Sequence, residues 1–313
     1  MSLRSLCVLL LGALSGVALG IFPAFQPLSR PPEITFIPRT SGTTPTEDMH
    51  QGASQAAREA GFRLYWNAPT REDDVDRQIA LVSKALNSSS KGLILTPTNG
   101  LALTTKINEF VGRKIPVVIV QTDSPIPSSP LITSVFPDQA VVSALAAKRI
   151  LNLVGDGGEI GILGLDQSEP ETIERWRSFA DYMSRVANIR IVAQKRGTSL
   201  VPEAEQNARE VLDGHPKLKA LFAVSAPATE GAVLAIQRRG QDHSVVLVGC
   251  DEYLSLRADL RAGKLDSSII SDNYQMGFLA VRSLLAAIEG HALVKPPYIP
   301  VRLLTQDLSL IHI

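Results

Sequence analysis

The chain has 313 residues, 45% of them hydrophobic and 20% charged, a composition typical of a soluble globular protein. Lysine plus arginine and aspartate plus glutamate each number 31, and this zero net charge argues against a nucleic-acid binder. Only Cys7 and Cys250 occur, and Cys7 lies in a predicted export signal, so the mature chain has no partner for an intramolecular disulfide.

Residues 1–20 have the features of a secretory signal peptide. Arg4 supplies a positive charge, residues 6–19 are apolar, and residues 18–20 offer the small-x-small pattern that signal peptidase reads. The alternative is an uncleaved membrane anchor, because the apolar stretch approaches the roughly 20 residues that a spanning helix needs. Pro23, near the end of that stretch, argues against the anchor. In both cases we expect the folded part outside the cytoplasmic membrane, in the periplasm.

Residues 21–32 are rich in proline and are predicted to form an extended spacer. From residue 33 onward, short apolar runs alternate with longer amphipathic runs. The expected strands are 34–37, 62–66, 93–95 and 116–120, and the expected helices are 47–60, 73–86 and 102–111. This alternation, with fully apolar strands, predicts a parallel sheet that is covered on both faces.

A second run of the same kind follows residues 122–137, whose four prolines are predicted to mark a crossing between two lobes. The expected helices are 140–153, 171–186, 202–212, 229–239, 255–262 and 274–288, and the expected strands are 159–163, 189–193, 220–224, 245–248, 268–270 and 299–304. The predicted fold is therefore α/β, with two doubly wound parallel-sheet lobes joined by a hinge of several crossings.

The sequence offers no catalytic or metal-binding constellation. The five histidines share no ligand spacing, and neither a Gly-x-Ser-x-Gly elbow nor a phosphate-binding loop is present. Glu72, Asp73 and Asp74 could hold a cation, but we favour a capping role at the start of the following helix. Cys250 ends an apolar strand and is expected to be a buried small hydrophobe. We therefore predict no enzyme, no metal and no cofactor.

Ligands of open α/β sheets gather at the carboxyl ends of the strands. In this sequence the polar residues at those ends are Arg39, Thr40, Ser41, Asn67, Thr96, Gln121, Thr122, Asp123, Ser225 and Asp251. A two-lobed chain with such groups at its strand tips is suited to closing on a ligand by hinge motion.

Five short sequence motifs occur along the chain in the same order as in one known family. They are Ile115-Pro116-Val117-Val118, Arg175 with Phe179, Val246 to Asp251, Gly263-Lys264-Leu265 and Gln275-Met276-Gly277. In order and spacing they resemble the ribose/galactose class of periplasmic binding proteins, which share their fold with the sensor domains of lac-repressor-type regulators. The resemblance runs from about Ile34 to Leu304. It implies that Asp251 accepts hydrogen bonds from ligand hydroxyls, that Arg175 points into the cleft, and that Gln275 lies on its hinge side.

The sequence departs from the family's usual sugar site at several positions. Gln121-Thr122 stands where Asp-Arg is usual, Ser225-Ala226 where Asn-Asp is usual, and Thr96 where asparagine is usual. The loop 39–45 lacks the aromatic pair that stacks on a sugar ring. Because sugar sites use charged, bidentate groups to hold hydroxyls, we expect a pocket with fewer charges than in a typical pentose binder. The ligand would then be a less hydroxylated molecule or an unusual sugar derivative.

The predicted ligand-binding residues are Arg39, Thr40, Thr96, Gln121, Thr122, Arg175, Ser225, Asp251 and Gln275. Trp66 and Trp176 are candidates for stacking on a ligand, with core packing favoured for Trp66 and the role of Trp176 left open. The resemblance implies three crossings between lobes, with residues 33–134 plus 274–295 in the first lobe and residues 135–273 plus 296–308 in the second.

The predicted function is capture of a small polar ligand, a sugar or a related metabolite, by a monomer that delivers it to an ABC importer permease. The alternative is a ligand-sensing protein that signals to a membrane receptor, and the same fold serves both. A lac-repressor-like regulator would need a helix-turn-helix module before the first lobe, where only the signal and the spacer lie. An enzyme would need a nucleophile or a cofactor motif beside Asp123, Arg175 or Asp251, and none accompanies them.

Overall fold

The structure is a computed structural model that describes residues 30–127, 129–155, 157–166, 169–197, 200–240, 244–291 and 299–309. The predicted signal peptide and most of the proline-rich spacer lie outside the described residues. Contacts divide the chain into residues 1–31 and residues 32–313, and both sheets belong to the second unit. Within the described ranges, no helix is both long and apolar enough to cross a membrane.

The first sheet has five strands, all parallel, in the order β2-β1-β3-β4-β5. These strands are β1 (Glu33–Ile37), β2 (Arg63–Trp66), β3 (Leu93–Leu95), β4 (Val117–Val120) and β5 (Ile132–Val135). The helices that connect them are α1 (Thr44–Glu59), α2 (Val75–Leu86) and α3 (Gly100–Gly112).

The second sheet has six strands, in the order β11-β10-β9-β8-β6-β7. The strands are β6 (Gly158–Leu165), β7 (Ile189–Arg196), β8 (Leu218–Ala223), β9 (Val246–Cys250), β10 (Ser267–Ser271) and β11 (Val301–Thr305). The helices of this half are α4 (Gln139–Val154), α5 (Pro170–Ser184), α6 (Val201–Gly214), α7 (Ala226–Arg238) and α8 (Leu254–Arg261), followed by α9 (Asn273–Ile288) and the short α10 (Gln306–Ser309).

Both sheets are covered on both faces, as their apolar strands predict. In β1, Phe36 belongs to a cluster with residues of α1 and α9, while the next residue, Ile37, packs with α2 and α3 on the opposite face. In the second sheet, one face packs against α6, α7 and α8 and the other against α4 and α5. The predicted fold class, two parallel-sheet α/β lobes, is confirmed.

The segment 122–137 was expected to be a connection, but part of it is a strand. Residues 132–135 form β5 at the edge of the first sheet, where Val117 pairs with Ile132 and Val120 pairs with Val135. Pro130 and Pro137 bracket the strand instead of interrupting it, and an edge strand tolerates flanking prolines because one side of it needs no hydrogen-bond donors. Pro130 and Pro137 thus mark the ends of β5, and the chain continues to the strands of the second sheet only after this strand.

The last strand also differs from the expected parallel arrangement, because β11 pairs antiparallel with β10. The reason lies in the path of the chain. After β10, helix α9 packs against α1 and contacts β3, β4 and β5 of the first sheet. A strand that returns from there to lie beside β10 must run in the opposite direction.

Helix α9 packs so closely on α1 that two glycines are required at the crossing. A Cβ atom on Gly277 would lie 2.0 Å from the carbonyl oxygen of Met49, and one on Gly52 would lie 2.0 Å from that of Tyr274. Real Cβ atoms do not approach backbone this closely, so only glycine lets the two helices meet here. This contact gives a physical reason for the glycine of the Gln275-Met276-Gly277 string.

Candidate functional site

A cavity lies where the carboxyl ends of strands from the two sheets face each other. It encloses about 1110 Å³ of empty space, its opening to solvent included. The residues that follow the strands supply much of its lining, namely Arg39 and Thr40 after β1, Gln121 after β4, Asp166 after β6, Ser225 after β8 and Asp251 after β9.

Six of the nine predicted ligand-binding residues line this cavity: Arg39, Thr40, Gln121, Arg175, Ser225 and Asp251. Thr96, Thr122 and Gln275 are not part of the lining. Thr96 is buried at the end of β3, where its N–H donates to the carbonyl of Ile37 at 3.1 Å and its carbonyl accepts from Gln78 Nε2 at 2.8 Å.

Thr122 and Gln275 also lie outside the cavity lining, each in a different local environment. The side chain of Thr122 is buried, and its hydroxyl has no hydrogen-bond partner among the described residues. Gln275 lies exposed in the first turn of α9, where its backbone N–H donates to the N-cap residue Asp272 at 2.9 Å. Ser225 combines two roles, because it lines the cavity and its hydroxyl also caps α7 by accepting from the N–H of Ala228 at 3.4 Å.

At the centre of the site, Arg175 of α5 is bound to Asp251. Its guanidinium donates two hydrogen bonds to the carboxylate, at 2.6 and 3.2 Å. It also donates to Gln139 Oε1 at 2.6 Å and to the carbonyl of Val224 at 2.7 Å. Burial lowers the pKa of Arg175, but the charge of Asp251, its hydrogen bond to Arg175, and the nearby Cys250 and Glu171 together raise it more, so the guanidinium stays charged. Arg175 is thus held from several directions behind Asp251, which faces the cavity.

The backbone at two strand ends has an unusual conformation. Gln121 and Asp251 have φ values of 70° and 64°, in the left-handed region that non-glycine residues rarely adopt. Hydrogen bonds hold both in place, since the N–H of Gln121 donates to Val135 at 3.0 Å and that of Asp251 donates to Ile269 at 2.8 Å. Such strain concentrates at ligand sites, where it turns a side chain toward the ligand.

Next to Asp251, the strand end depends on a glycine. A Cβ atom on Gly249 would lie 2.3 Å from Cγ2 of Thr229, so no larger residue fits. The hydroxyl of Thr229 donates to the carbonyl of Ser225 at 2.8 Å and accepts from the N–H of Cys250 at 3.3 Å. The glycine of the Gly-x-Asp pattern therefore lets β9 and α7 pack closely. The hydroxyl of Thr229 holds the backbone of Cys250, the residue before Asp251, in place.

Ion pairs between Arg39 and two glutamates link the end of a strand of the first sheet to helix α5, which packs on the second sheet. Arg39, which follows β1 of the first sheet, donates to Glu169 at 2.5 Å and to Glu171 at 3.4 Å, and both glutamates lie at the start of α5. Burial lowers the pKa of Arg39, but Glu169, Glu171 and Glu72 together raise it more. Arg39 is therefore a permanent cation held mainly by carboxylates of the other half.

The sequence predicted fewer charges than in a typical pentose-binding site, and the lining nevertheless contains many charged side chains. Six carboxylates and two guanidinium groups line the cavity. Apart from Asp251, the carboxylates belong to residues that were not among the candidates: Glu72, Asp166, Glu169, Glu171 and Glu252. The acidic residues after β6, Asp166, Glu169 and Glu171, could have been predicted as lining residues from the sequence, because they also follow the carboxyl end of a strand.

The acidic residues before α2 divide between two roles. Asp74 caps this helix as predicted, with its carboxylate accepting from the N–H of Arg77 at 3.0 Å. Asp73 forms an exposed ion pair with Arg71 at 2.6 Å. Glu72, however, lines the cavity and forms no hydrogen bond or ion pair with a described residue. The capping interpretation is therefore confirmed for Asp74, and Glu72 belongs to the site.

Neither tryptophan lines the cavity. Trp66 packs with Phe36 and His50, with ring centroids 4.4 and 4.5 Å apart, which confirms its predicted core role. Trp176 packs against the cluster between the second sheet and helices α4 and α5. The aromatic side chain in the cavity lining is that of Tyr253, which sequence reasoning missed. Burial, followed by the charges of Glu72 and Asp251, raises the pKa of its hydroxyl, so Tyr253 stays neutral.

Cys250 is buried, as predicted, and burial raises its pKa to about 12. A thiol in this state is a poor nucleophile at neutral pH. Across the described part of the chain, no group of three or more His, Cys, Asp or Glu side chains is placed to hold a metal ion. The site consists of hydrogen-bonding and charged groups arranged around a cavity, which suits binding of a polar molecule.

Two parallel-sheet lobes with a polar cavity at their strand ends define a two-lobed ligand-binding protein. A family model described as the periplasmic binding protein domain matches residues 34–292. The chain belongs to that family, and the resemblance to its ribose/galactose class is confirmed. Members of the family bind substrates and do not transform them, which agrees with the prediction that this protein is not an enzyme.

Relatives of similar length support this membership. The chain is 25% identical to a D-ribose/D-allose-binding protein of Pseudomonas aeruginosa over 292 residues, covering 88% of this chain and 91% of the relative. The solved periplasmic component of an ABC-type sugar transport system from Hahella chejuensis has a TM-score of 0.79 at 26% identity, covering 87% of this chain and 99% of that one. An Agrobacterium vitis solute-binding protein with bound D-fucose shares the fold, with a TM-score of 0.79 at 24% identity, and covers 88% of this chain and 96% of that one.

Proposed function

We propose that this protein is an exported solute-binding protein that captures a small polyhydroxylated molecule, a sugar or a close derivative, and delivers it to an ABC importer. The observation that carries the proposal is the Arg175–Asp251 pair, which presents a fixed carboxylate to a cavity between two lobes. Carboxylates that are held in place accept pairs of hydrogen bonds from neighbouring sugar hydroxyls. Relatives named for binding ribose and allose, and a solved neighbour with bound D-fucose, support the same class of ligand.

We further propose that binding closes the two lobes about a hinge. The first lobe would comprise residues 33–134 plus 274–295, and the second residues 135–273 plus 296–308. The packing of α9 on α1 and the pairing of β11 with β10 support these boundaries. The residues that line the cavity come from both sheets, so a ligand would contact both lobes and favour the closed form.

The proposed location is the periplasm, reached through the signal at residues 1–20, and the proposed partner is the permease of an importer. The periplasmic relatives support this location. A binding protein of this kind would act as a monomer, with its closed form recognised by the membrane partner.

A thermal-shift screen of residues 26–313 against pentoses, hexoses, polyols, amino acids and nucleosides tests the proposal. A ligand at about 100 times its dissociation constant adds roughly 2.7 kcal/mol to the free energy of unfolding. We expect a shift with sugars or their derivatives that Asp251→Ala abolishes. The matched control is Asp181→Ala, which removes an exposed ion pair with Arg185 outside the cavity lining. A shift with amino acids or nucleosides alone would contradict the proposal.

A further inference from the structure

Two polar side chains in the cavity lining have no partner inside the described part of the protein. Glu72 lies between β2 and α2 of the first sheet, and Tyr253 lies between β9 and α8 of the second. Both are half-buried, and neither the carboxylate of Glu72 nor the hydroxyl of Tyr253 forms a hydrogen bond with a residue that the structure describes. Half-buried polar groups lose hydration without a compensating bond, so these two groups favour a ligand that supplies one.

The turn that carries Glu72 presents this residue to the cavity. The N–H of Asp74 donates to the carbonyl of Arg71 at 3.3 Å, which closes the turn around Glu72. The side chains of Arg71 and Asp73 pair with each other at 2.6 and 2.9 Å, and the side chain of Asp74 caps α2. Within this turn, Glu72 is the residue that lines the cavity, and its neighbours are engaged with one another or with the helix.

Tyr253 is held in place through both its ring and its backbone. The ring packs against the hydrophobic cluster between the second sheet and helices α6, α7 and α8. The carbonyl of Tyr253 accepts from the N–H of Arg257 at 3.3 Å, and the side chain of Arg257 pairs with Glu252, the residue between Asp251 and Tyr253. The hydroxyl is therefore a preorganised group in the cavity lining, next in the chain to the proposed ligand residue Asp251.

The two groups are complementary and face the same space. Burial, followed by the charge of Glu72, raises the pKa of Tyr253, so the carboxylate acts on the hydroxyl although no hydrogen bond joins the two described side chains. The phenol stays protonated and can donate, whereas a carboxylate only accepts. A cavity with a fixed donor on one wall and an acceptor on the other suits a group that accepts and donates at once.

We propose that Glu72 and Tyr253 form a hydrogen-bonding subsite in which one hydroxyl group of the ligand accepts from the phenol of Tyr253 and donates to the carboxylate of Glu72. This inference rests on the proposed function and adds two specificity-determining residues to its site. Asp251 contacts other hydroxyl groups of the same ligand. Because Glu72 follows a strand of the first sheet and Tyr253 a strand of the second, the bridging hydroxyl connects residues of both sheets.

Other functional groups satisfy only one side of this subsite. An ammonium group donates to Glu72 but cannot accept from Tyr253. An ether or carbonyl oxygen accepts from Tyr253 but leaves Glu72 without a donor, and a ligand carboxylate is repelled by the charge of Glu72. A hydroxyl group serves both residues at once. The subsite therefore selects a sugar or polyol with a free hydroxyl at one position over the analogue that is deoxygenated there.

The test combines two variants with a series of deoxy analogues. Titration calorimetry measures the binding of D-ribose, D-allose, D-fucose, D-galactose and D-sorbitol, and then of every monodeoxy analogue of the probe that binds most tightly. Glu72→Gln should weaken the binding of this parent probe about tenfold or more, and Tyr253→Phe about fivefold or more. For the one analogue that lacks the bridging hydroxyl, neither substitution should weaken binding further, because the group that both residues contact is already absent.

Two further variants are matched controls. Tyr182→Phe removes the hydroxyl of another half-buried tyrosine, which packs against the cluster at α4 and α5. Glu109→Gln removes the charge of a carboxylate on α3 that pairs with Lys106. Neither residue lines the cavity, so both variants should bind the parent probe as tightly as the wild type. Circular dichroism and the melting temperature of each ligand-free variant verify that it is folded.

The outcomes separate this inference from the proposed function. If either Glu72→Gln or Tyr253→Phe binds the parent probe as tightly as the wild type, the inference is overturned and the proposed function stands. If the two substitutions lose their effect on different analogues, the residues contact separate hydroxyls and the bridge is wrong. If they weaken every analogue equally, the two residues contact each other in the bound form, which also overturns the inference. If no sugar or polyol binds to the wild type, the inference and the proposed function are both overturned.

Discussion

Arg175 and Asp251 form a bidentate ion pair in which the two partners differ sharply in exposure. The guanidinium nitrogens lie 2.6 and 3.2 Å from the carboxylate oxygens, and the side chain of Arg175 is 6% exposed while that of Asp251 is 39% exposed. The arginine is therefore a buried support, and the aspartate is the group that a ligand can reach. This division of roles determines what happens when either side chain is changed.

Asp251→Ala should both abolish sugar binding and destabilise the ligand-free protein. It leaves the charge of Arg175 buried with only Gln139 and the carbonyl of Val224 as partners, a loss of about 2 kcal/mol in the free energy of unfolding. Urea denaturation measures the change. Asp181→Ala, which breaks an exposed pair with Arg185, serves as the control and should leave the midpoint unchanged. Equal midpoints for the two variants would contradict the buried-support role of Arg175.

Gly277→Ala should destabilise the first lobe. The added methyl group would lie 2.0 Å from the carbonyl oxygen of Met49, so helices α1 and α9 must separate, at a cost of about 2 kcal/mol or more. Gly112→Ala is the matched control, because its position at the end of α3 has no atom within 4 Å of the new methyl group. Thermal denaturation should show a fall of several degrees for the first variant alone. A stable Gly277→Ala would mean that the helices do not touch there.

Arg39→Gln should loosen the contact between the two halves in the absence of ligand. Arg39 links β1 of the first sheet to Glu169 and Glu171 at the start of α5, and a neutral side chain cannot hold two carboxylates. Small-angle scattering of the ligand-free protein should give a larger radius of gyration for the variant. Arg63→Gln, which affects a pair with Glu33 inside the first sheet, should not change it. An identical radius for Arg39→Gln would show that this ion pair does not hold the halves together.

The stability of the protein should depend on pH through Glu169. Its pKa is raised in the folded state by burial and by the charges of Glu171, Asp166 and Glu72, against the opposing effect of Arg39. Between the ordinary glutamate pKa and the raised value, the folded state binds more protons than the unfolded state, so stability falls as pH rises through that window. In Glu169→Gln this contribution is absent.

Denaturant titrations of both proteins from pH 4 to pH 8 measure this effect. The wild-type free energy of unfolding should fall with rising pH relative to that of Glu169→Gln, and the titrating groups that do not interact with Glu169 cancel in the difference. A difference that rises with pH would indicate that Arg39 outweighs burial and holds the pKa of Glu169 below its ordinary value.

Cys250 should be unreactive in the folded protein. It is fully buried, and its pKa of about 12 leaves almost no thiolate near neutral pH. Labelling with a thiol-specific reagent at pH 8 should modify one thiol fewer per chain in the folded state than in denaturant. Rapid labelling of every thiol under native conditions would show that β9 opens frequently at this end.

The sequence by itself determined the fold class and most of the elements, although it missed strand β5. Hydrophobic periodicity and helix capping act over a few residues, so the apolar strand of β9 and the cap at Asp74 were readable without any knowledge of distant contacts. The same short-range rules placed Asp251 at the end of a strand, where parallel sheets expose their ligand-binding groups.

Only the tertiary structure decided which groups share the cavity. Arg39 and Glu169 are 130 residues apart, and their ion pair exists because the two sheets face each other across the cavity. The direction of β11 likewise followed from where α9 packs, and the acidity of the cavity followed from loops brought together by both lobes. Contacts between residues far apart in sequence depend on the path of the whole chain, and no local pattern encodes them.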